Sequence, residues 1–292
     1  MDTLQKTIGA VVVLLVALSL LNCQSTTVKS DDQEKPVILV VSFGTSFNDS
    51  RQKTIGAIEE AVVRAYPDYA VRRAFTSQIV IDHIFQRDGE KIDNVTEAMN
   101  RLVNDKVKDV VIQPTHLMNG IEEKEMLSQI QPFEGKFRSI TYGKPVLSSD
   151  ADYTALVTIV REGTKAYDNP DTALVFMGHG TEDAANADYA RLAALFKEQG
   201  FSNYFIGTVE ATPSLDDVIV QVREAALEKV VLFPLMIVAG DHANNDMAGD
   251  EDDSWKSILT AEGFSVEAVI RGLGEYPGLQ AHIVQHVADA LK

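Results

Sequence analysis

The segment VVIQPTHLMNG at residues 110–120 is echoed by VVLFPLMIVAG at residues 230–240, with the proline and the terminal glycine in register. Each begins as an apolar, β-branched run, the pattern of a strand covered on both faces, and each ends in a glycine-bearing loop. A second pair agrees in the same order: SFGTS at 42–46 and MGHGTE at 177–182. Two matched segments in one order point to a duplicated unit, with a cleft between the copies. Chance likeness between two buried strands is the competing explanation.

Working outward from these segments, strand and helix patterns alternate. Strands are expected at 37–42, 69–75, 109–113 and 139–142, then at 173–177, 204–209, 230–235 and 266–270. Helical spacing runs through 50–65, where Ile55, Ile58, Ala61 and Val62 share a face and Pro67 closes the pattern. Thr76 or Ser77 can N-cap the helix carrying Ile79, Ile81 and Ile84. Further helices are expected at 95–103, 120–130, 150–161, 185–198, 215–227, 254–261 and 277–291. This alternation predicts an α/β protein of two doubly wound, parallel-sheet lobes, one at 36–148 and the other at 149–292.

The chain has 292 residues and a net charge of −17. No basic stripe is available to meet phosphates, which argues against nucleic acid as a partner. Residues 1–30 read as a targeting or anchor segment with a tether. Ile8 to Leu21 carries no charge and has the length of a signal h-region rather than a membrane span. Cys23, the only cysteine, follows Leu20-Leu21-Asn22 in a lipobox-like setting, although Asn22 is bulkier than the usual residue there. Export to the periplasm is expected, with lipid attachment at Cys23 as a candidate membrane tether; an uncleaved anchor helix is the competing explanation. A lone cysteine excludes an intramolecular disulfide.

Candidate chemistry collects at strand ends, where open α/β sheets place their sites. His179 lies between Gly178 and Gly180, which keep bulk away from the imidazole. The plainer reading is an incidental histidine in a tight βα turn. His242 lies in GDHANND, near Asp241, Asp246, Asp250, Glu251, Asp252 and Asp253, any of which can orient an imidazole. The run from Glu251 to Asp253 also suits a solvated helix start. Glu210 closes the strand YFIGTVE and can complete a His₂Glu set drawn from three strands. Nitrogen and oxygen donors without thiolate suit cobalt, nickel, iron or zinc. In the first half, His116 and Glu122 occupy the loop equivalent to that of His242. His83, His282 and His286 lie in helices and read as surface or packing residues. No P-loop or GxGxxG is present.

Taken together, LVVSFGTS, RAFTS, QPTHLMNGIE, VFMGHGT, VEATP and PLMIVAGDHANNDMAGDEDDSWK resemble the anaerobic cobalt chelatase family of CbiK type, from about Pro36 to Lys292. The resemblance implies the class II chelatase fold: two flavodoxin-like lobes around a tetrapyrrole cleft. It implies a lyase-class enzyme that inserts Co²⁺, with Fe²⁺ or Ni²⁺ as alternatives, into sirohydrochlorin for cobalamin synthesis, without nucleotide. It makes His179, His242 and Glu210 the metal ligands and Glu122 the active-site glutamate, with His116 in the same motif. It also implies a homo-oligomer. Arg51 and Lys53 are candidates for the carboxylates of the tetrapyrrole. The leader departs from this picture, since tetrapyrrole synthesis is normally cytoplasmic. A periplasmic metal or tetrapyrrole carrier on the same scaffold is the alternative function, and ferrochelatase activity toward protoporphyrin is a further one.

Overall fold

The computed structural model describes residues 35–292. The apolar stretch Ile8 to Leu21, Cys23 and all of the tether before Lys35 lie outside the described residues.

Among the described residues, eight strands form two four-stranded sheets. The first holds β1 (Val37–Ser42), β2 (Ala70–Phe75), β3 (Asp109–Pro114) and β4 (Ser139–Tyr142). The second holds β5 (Thr172–Gly178), β6 (Tyr204–Thr208), β7 (Lys229–Pro234) and β8 (Ser265–Ala268). The spatial orders are β2-β1-β3-β4 and β6-β5-β7-β8, and every pairing is parallel. The two sheets therefore share one topology, the flavodoxin-like 2-1-3-4 order. The order steps from β1 to neighbours on either side, which opens a crevice at the carboxyl ends of β1 and β3, and likewise of β5 and β7.

Among the described residues, ten α-helices connect or cover these strands: α1 (Asn48–Arg51), α2 (Ala57–Ala65), α3 (Gln78–Asp88), α4 (Val95–Asn104) and α5 (Ile121–Ile130) in the first half. The second half adds α6 (Asp150–Thr164), α7 (Ala187–Glu198), α8 (Leu215–Glu224), α9 (Trp255–Ala261) and α10 (Pro277–Ala290). Ser77 caps α3, its Oγ accepting from the Val80 amide at 3.4 Å. The helix expected over 50–65 is interrupted by a π-turn at Gln52–Gly56.

Strands β1, β3, β5, β6 and β7 are buried on both faces, which explains their continuous apolar runs, whereas the edge strands β2, β4 and β8 are only partly covered. On one face of the second sheet, Leu174, Phe176, Tyr204 and Phe233 pack against Leu156, Val160, Leu192 and Phe196. Phe176 is the hub, with ring centroids 5.4 Å from Phe233, 5.6 Å from Tyr204 and 6.1 Å from Phe196. The other face pairs Val175, Met177 and Leu232 with Val218, Val222, Trp255 and Leu259. In the first sheet, Leu39, Val41 and Ile112 meet Val95, Met99, Leu102 and Met126.

Its opposite face is covered in part from the far end of the chain. Ile38, Val40 and Val111 pack with Val62 of α2 and Val287 of α10. The final helix thus crosses from the second half to the first. Tyr66 donates to the Val284 carbonyl at 3.2 Å, and the Ala239 amide donates to Ser50 Oγ at 3.0 Å. These contacts hold the two sheets so that the loops after β1, β3, β5 and β7 face one cleft.

Candidate metal centre and cleft

The backbone pairing at the two sheet edges supplies an internal ruler. The Glu210 amide donates to the His179 carbonyl at 2.9 Å, and in the first half the Ser77 amide donates to the Phe43 carbonyl at 3.2 Å. The Leu235 amide bonds the Met177 carbonyl as the Thr115 amide bonds that of Val41, each at 2.8 Å. His179 and Phe43 are therefore equivalent positions, as are Glu210 and Ser77. Gly120 and Gly240 end the matched segments, which makes Glu122 the counterpart of His242. One copy carries His, Glu and His; the other carries Phe, Ser and Glu. The duplicated loops are alike in backbone and unlike in chemistry.

His179, Glu210 and His242 come together as the sequence led one to expect. One ligand atom from each lies within 4.8 Å of the others. The two imidazoles meet edge to face, with ring centroids 4.7 Å apart. His179 is the first residue after β5, and Gly180 turns the chain at φ +87° immediately beyond it. Only glycine adopts that conformation without strain. A Cβ at Gly178 would collide with the ring of Tyr189, which packs flat against the strand end. Burial pushes the Tyr189 hydroxyl pKa up, so it stays a neutral wall of the cleft.

Each ring has a hydrogen-bond partner at Nδ1. His179 Nδ1 lies 2.8 Å from the Gly180 carbonyl, and a carbonyl only accepts. His242 Nδ1 lies 2.6 Å from Asp246 Oδ2, across the first turn of a π-helical segment at Ala243–Met247. With Nδ1 as the donor in both, each Nε2 is left as a lone pair for a cation. Asp246 is thus singled out from the six carboxylates near His242. Glu210 Oε2 is 3.6 Å from His179 Nδ1, and its side chain is half exposed.

The histidines form one wall of a cleft of about 290 Å³ between the two sheets. Its lining is mainly apolar, with Phe43, Phe47, Leu117, Met118, Leu235 and Ile237 among the contributors. Glu122 and His116 line the same cleft from the first half. Thr45 and Gly240 approach closely across it, since a Cβ on Gly240 would stand 3.1 Å from Thr45 Oγ1.

His116 has a partner that sequence reasoning missed. Its Nδ1 lies 3.0 Å from Glu123 Oε2, and both side chains are more than nine-tenths buried. Glu123 stands in the first turn of α5, but it is buried there, and a buried carboxylate needs a partner. His116 Nε2 is buried without a hydrogen bond. A neutral ring that donates from Nδ1 to Glu123 carries a bare lone pair there.

Arg51 is placed elsewhere than expected. Its guanidinium is buried, bonded to Glu90 Oε2 at 2.8 Å and to the Thr45 carbonyl at 3.3 Å, and it does not line the cleft. It braces the Gly44–Phe47 loop from behind. Lys53 is exposed beside Asp49 at 3.8 Å, also off the cleft. His83 is exposed on α3. His282 and His286 lie in α10, but they converge on Asp152 in a second cluster.

Residues 36–292 match the model of the family described as Cobalt chelatase (CbiK). The chain belongs to that family. It is 40% identical over 257 residues to the sirohydrochlorin cobaltochelatase of Salmonella typhimurium, covering 88% of this chain and 97% of that one. It is 31% identical over 259 residues to the sirohydrochlorin cobaltochelatase CbiKC of Nitratidesulfovibrio vulgaris, covering 88% and 91%. Among solved structures, SirB from Bacillus subtilis with Fe³⁺ superposes with a TM-score of 0.62 at 16% identity, over 88% of this chain and 95% of that one. The last likeness is one of fold. The two-lobed α/β scaffold agrees with that likeness.

Proposed function

We propose that the protein is a sirohydrochlorin cobaltochelatase: it inserts Co²⁺ into sirohydrochlorin with release of two protons and without a nucleotide. The observation that carries this is the convergence of His179, Glu210 and His242 on one wall of an apolar cleft, with Glu122 on the other half. Family membership supports the same reading.

In this proposal the metal is substrate, held by His179 Nε2, His242 Nε2 and the Glu210 carboxylate. Three such donors leave coordination positions open toward the cleft, and without thiolate they can release the ion. Two pyrrole protons must leave as the metal enters the macrocycle. The acceptors we assign are Glu122 and His116, the latter through its unpartnered Nε2 with Glu123 stabilising the imidazolium. The apolar walls take the faces of the macrocycle. Fe²⁺ or Ni²⁺ fits the same donor set.

The test is to incubate purified protein with sirohydrochlorin and Co²⁺ and follow the absorption change through several turnovers. Loss of turnover in both His179→Ala and His242→Ala is expected. Stoichiometric uptake without turnover would instead indicate a carrier. Repeating the assay with Fe²⁺ addresses metal choice. We also propose, from the apolar stretch and Cys23, that the chain is exported and membrane-tethered; labelling with a palmitate analogue, with Cys23→Ser as control, tests the lipid form.

A further inference from the structure

Asp152, His282 and His286 lie outside the cleft, yet their ligand atoms fall within 4.8 Å of one another. Asp152 stands in the first turn of α6. His282 and His286 are one turn apart on α10 and so share a face. All three side chains are nearly buried, at 11%, 11% and 6% exposure.

The hydrogen bonds around them set the direction of each donor. Asp152 Oδ2 accepts from the Ser148 amide at 3.1 Å and from Ser149 Oγ at 2.8 Å. That leaves Oδ1 facing the rings, 3.2 Å from His286 Nε2 and 3.4 Å from His282 Nε2. His286 Nδ1 donates to the Lys144 carbonyl at 2.9 Å, the outer bond that typically fixes a metal-ligating tautomer. The Val146 carbonyl lies 3.0 Å from His282 Nε2.

Two imidazole nitrogens thus share Asp152 Oδ1 between them, and the Val146 carbonyl, which only accepts, stands beside one of the two. Positive charge belongs there, either as protons on the rings or as one cation. The spacing fits a cation. Tetrahedral bonds of about 2.0–2.1 Å imply ligand–ligand edges of about 3.3–3.4 Å. Three of the six edges measure 3.0, 3.2 and 3.4 Å.

We propose that Asp152, His282 and His286, with the Val146 carbonyl, form a second divalent-cation site of zinc or cobalt type, structural and separate from the substrate metal. Lys144 and Val146 belong to the connection from β4 to α6, which joins the two sheets. The helix α10 covers the first sheet from the end of the chain. A cation here ties the crossover to the closing helix and fixes the lobes that form the cleft. The inference stands independently of the proposed reaction.

The test is cation stoichiometry by equilibrium dialysis with Co²⁺ and Zn²⁺ on the full chain. Two equivalents are expected for the unsubstituted protein, one for His179→Ala/His242→Ala and one for His282→Gln. The glutamine keeps an amide donor for the Val146 carbonyl, and circular dichroism checks its fold. The His179→Ala/His242→Ala protein should show tetrahedral Co²⁺ absorption. Its melting temperature should rise by about 5–10 °C at a hundredfold excess over Kd. His282→Gln added to that protein should abolish both signals. Absence of any cation from His179→Ala/His242→Ala, or equal binding after His282→Gln, overturns the proposal. A melting temperature that follows pH but ignores Zn²⁺ and chelator overturns it as well, and leaves a protonated His286–Asp152 pair.

Discussion

Asp246→Ala should weaken Co²⁺ binding without disturbing the tetrapyrrole. The carboxylate sits 2.6 Å from His242 Nδ1 and, in the proposed site, would fix the ring with Nε2 toward the ion. Removing such an outer partner costs about 10–100-fold in metal affinity or activity. His242 and Asp246 are 31% and 43% exposed, so solvent already screens part of the interaction and the lower part of that range applies. We expect about a 10- to 30-fold loss, equivalent to roughly 1.4–2 kcal/mol. Asp246→Asn separates charge from position, because the amide oxygen still accepts from Nδ1. A charge-assisted hydrogen bond is about twice as strong as a neutral one, so about half the free energy, or a 3- to 5-fold loss, is expected for Asn. The assays are Co²⁺ titration by its visible absorption and initial rates of sirohydrochlorin metallation across a range of Co²⁺. The loss should appear at low Co²⁺ and shrink near saturation. Co²⁺ affinity within twofold of the unsubstituted protein in Asp246→Ala would refute the argument.

Three further perturbations probe other parts of the molecule. Gly180→Ala forces a side chain onto a φ of +87° and sets its Cβ 2.8 Å from the Ala211 amide nitrogen, next to Glu210. A stability loss of about 1–3 kcal/mol in urea unfolding is expected, together with loss of metallation. Glu123→Gln removes the carboxylate that supports a proton on His116; kcat should fall by about 10–100-fold while Co²⁺ affinity holds, and a change in affinity alone would count against the proton role. Burial pushes the Tyr276 hydroxyl up to about 12. The raised value means its stabilising contribution is complete below the ordinary tyrosine range near pH 10 and is lost as pH rises toward about 12. Alkaline unfolding followed by tyrosinate absorption should show this, and Tyr276→Phe should shift the transition upward.

Much of the scaffold was legible in the chain itself, because its signals are local. A strand buried on both faces must be apolar throughout, and an amphipathic helix must repeat its apolar face, so eight strands and most helices can be read off in order. The duplication was legible because Pro114 and Pro234 end equivalent strands, and Gly120 and Gly240 end equivalent loops. His179, Glu210 and His242 were legible as a set because each follows a buried strand, and parallel sheets place such positions at one edge. The π-turn at Gln52–Gly56 left no mark, since its apolar spacing passes for ordinary helix.

Tertiary structure decided what no sequence window contains. It buried Arg51 behind the Thr45 loop, turning an expected ligand anchor into a brace. It chose Asp246 from six nearby carboxylates by placing it one π-helical turn from His242. It put Glu123 under His116, and it carried α10 across to the first sheet. It brought His282 and His286 to Asp152, 130 and 134 residues earlier in the chain. Hydrophobic periodicity specifies which face of an element is covered. Which element covers it depends on strand order and on the sum of packing across the whole fold, and the chemistry of a buried polar group follows from that neighbour.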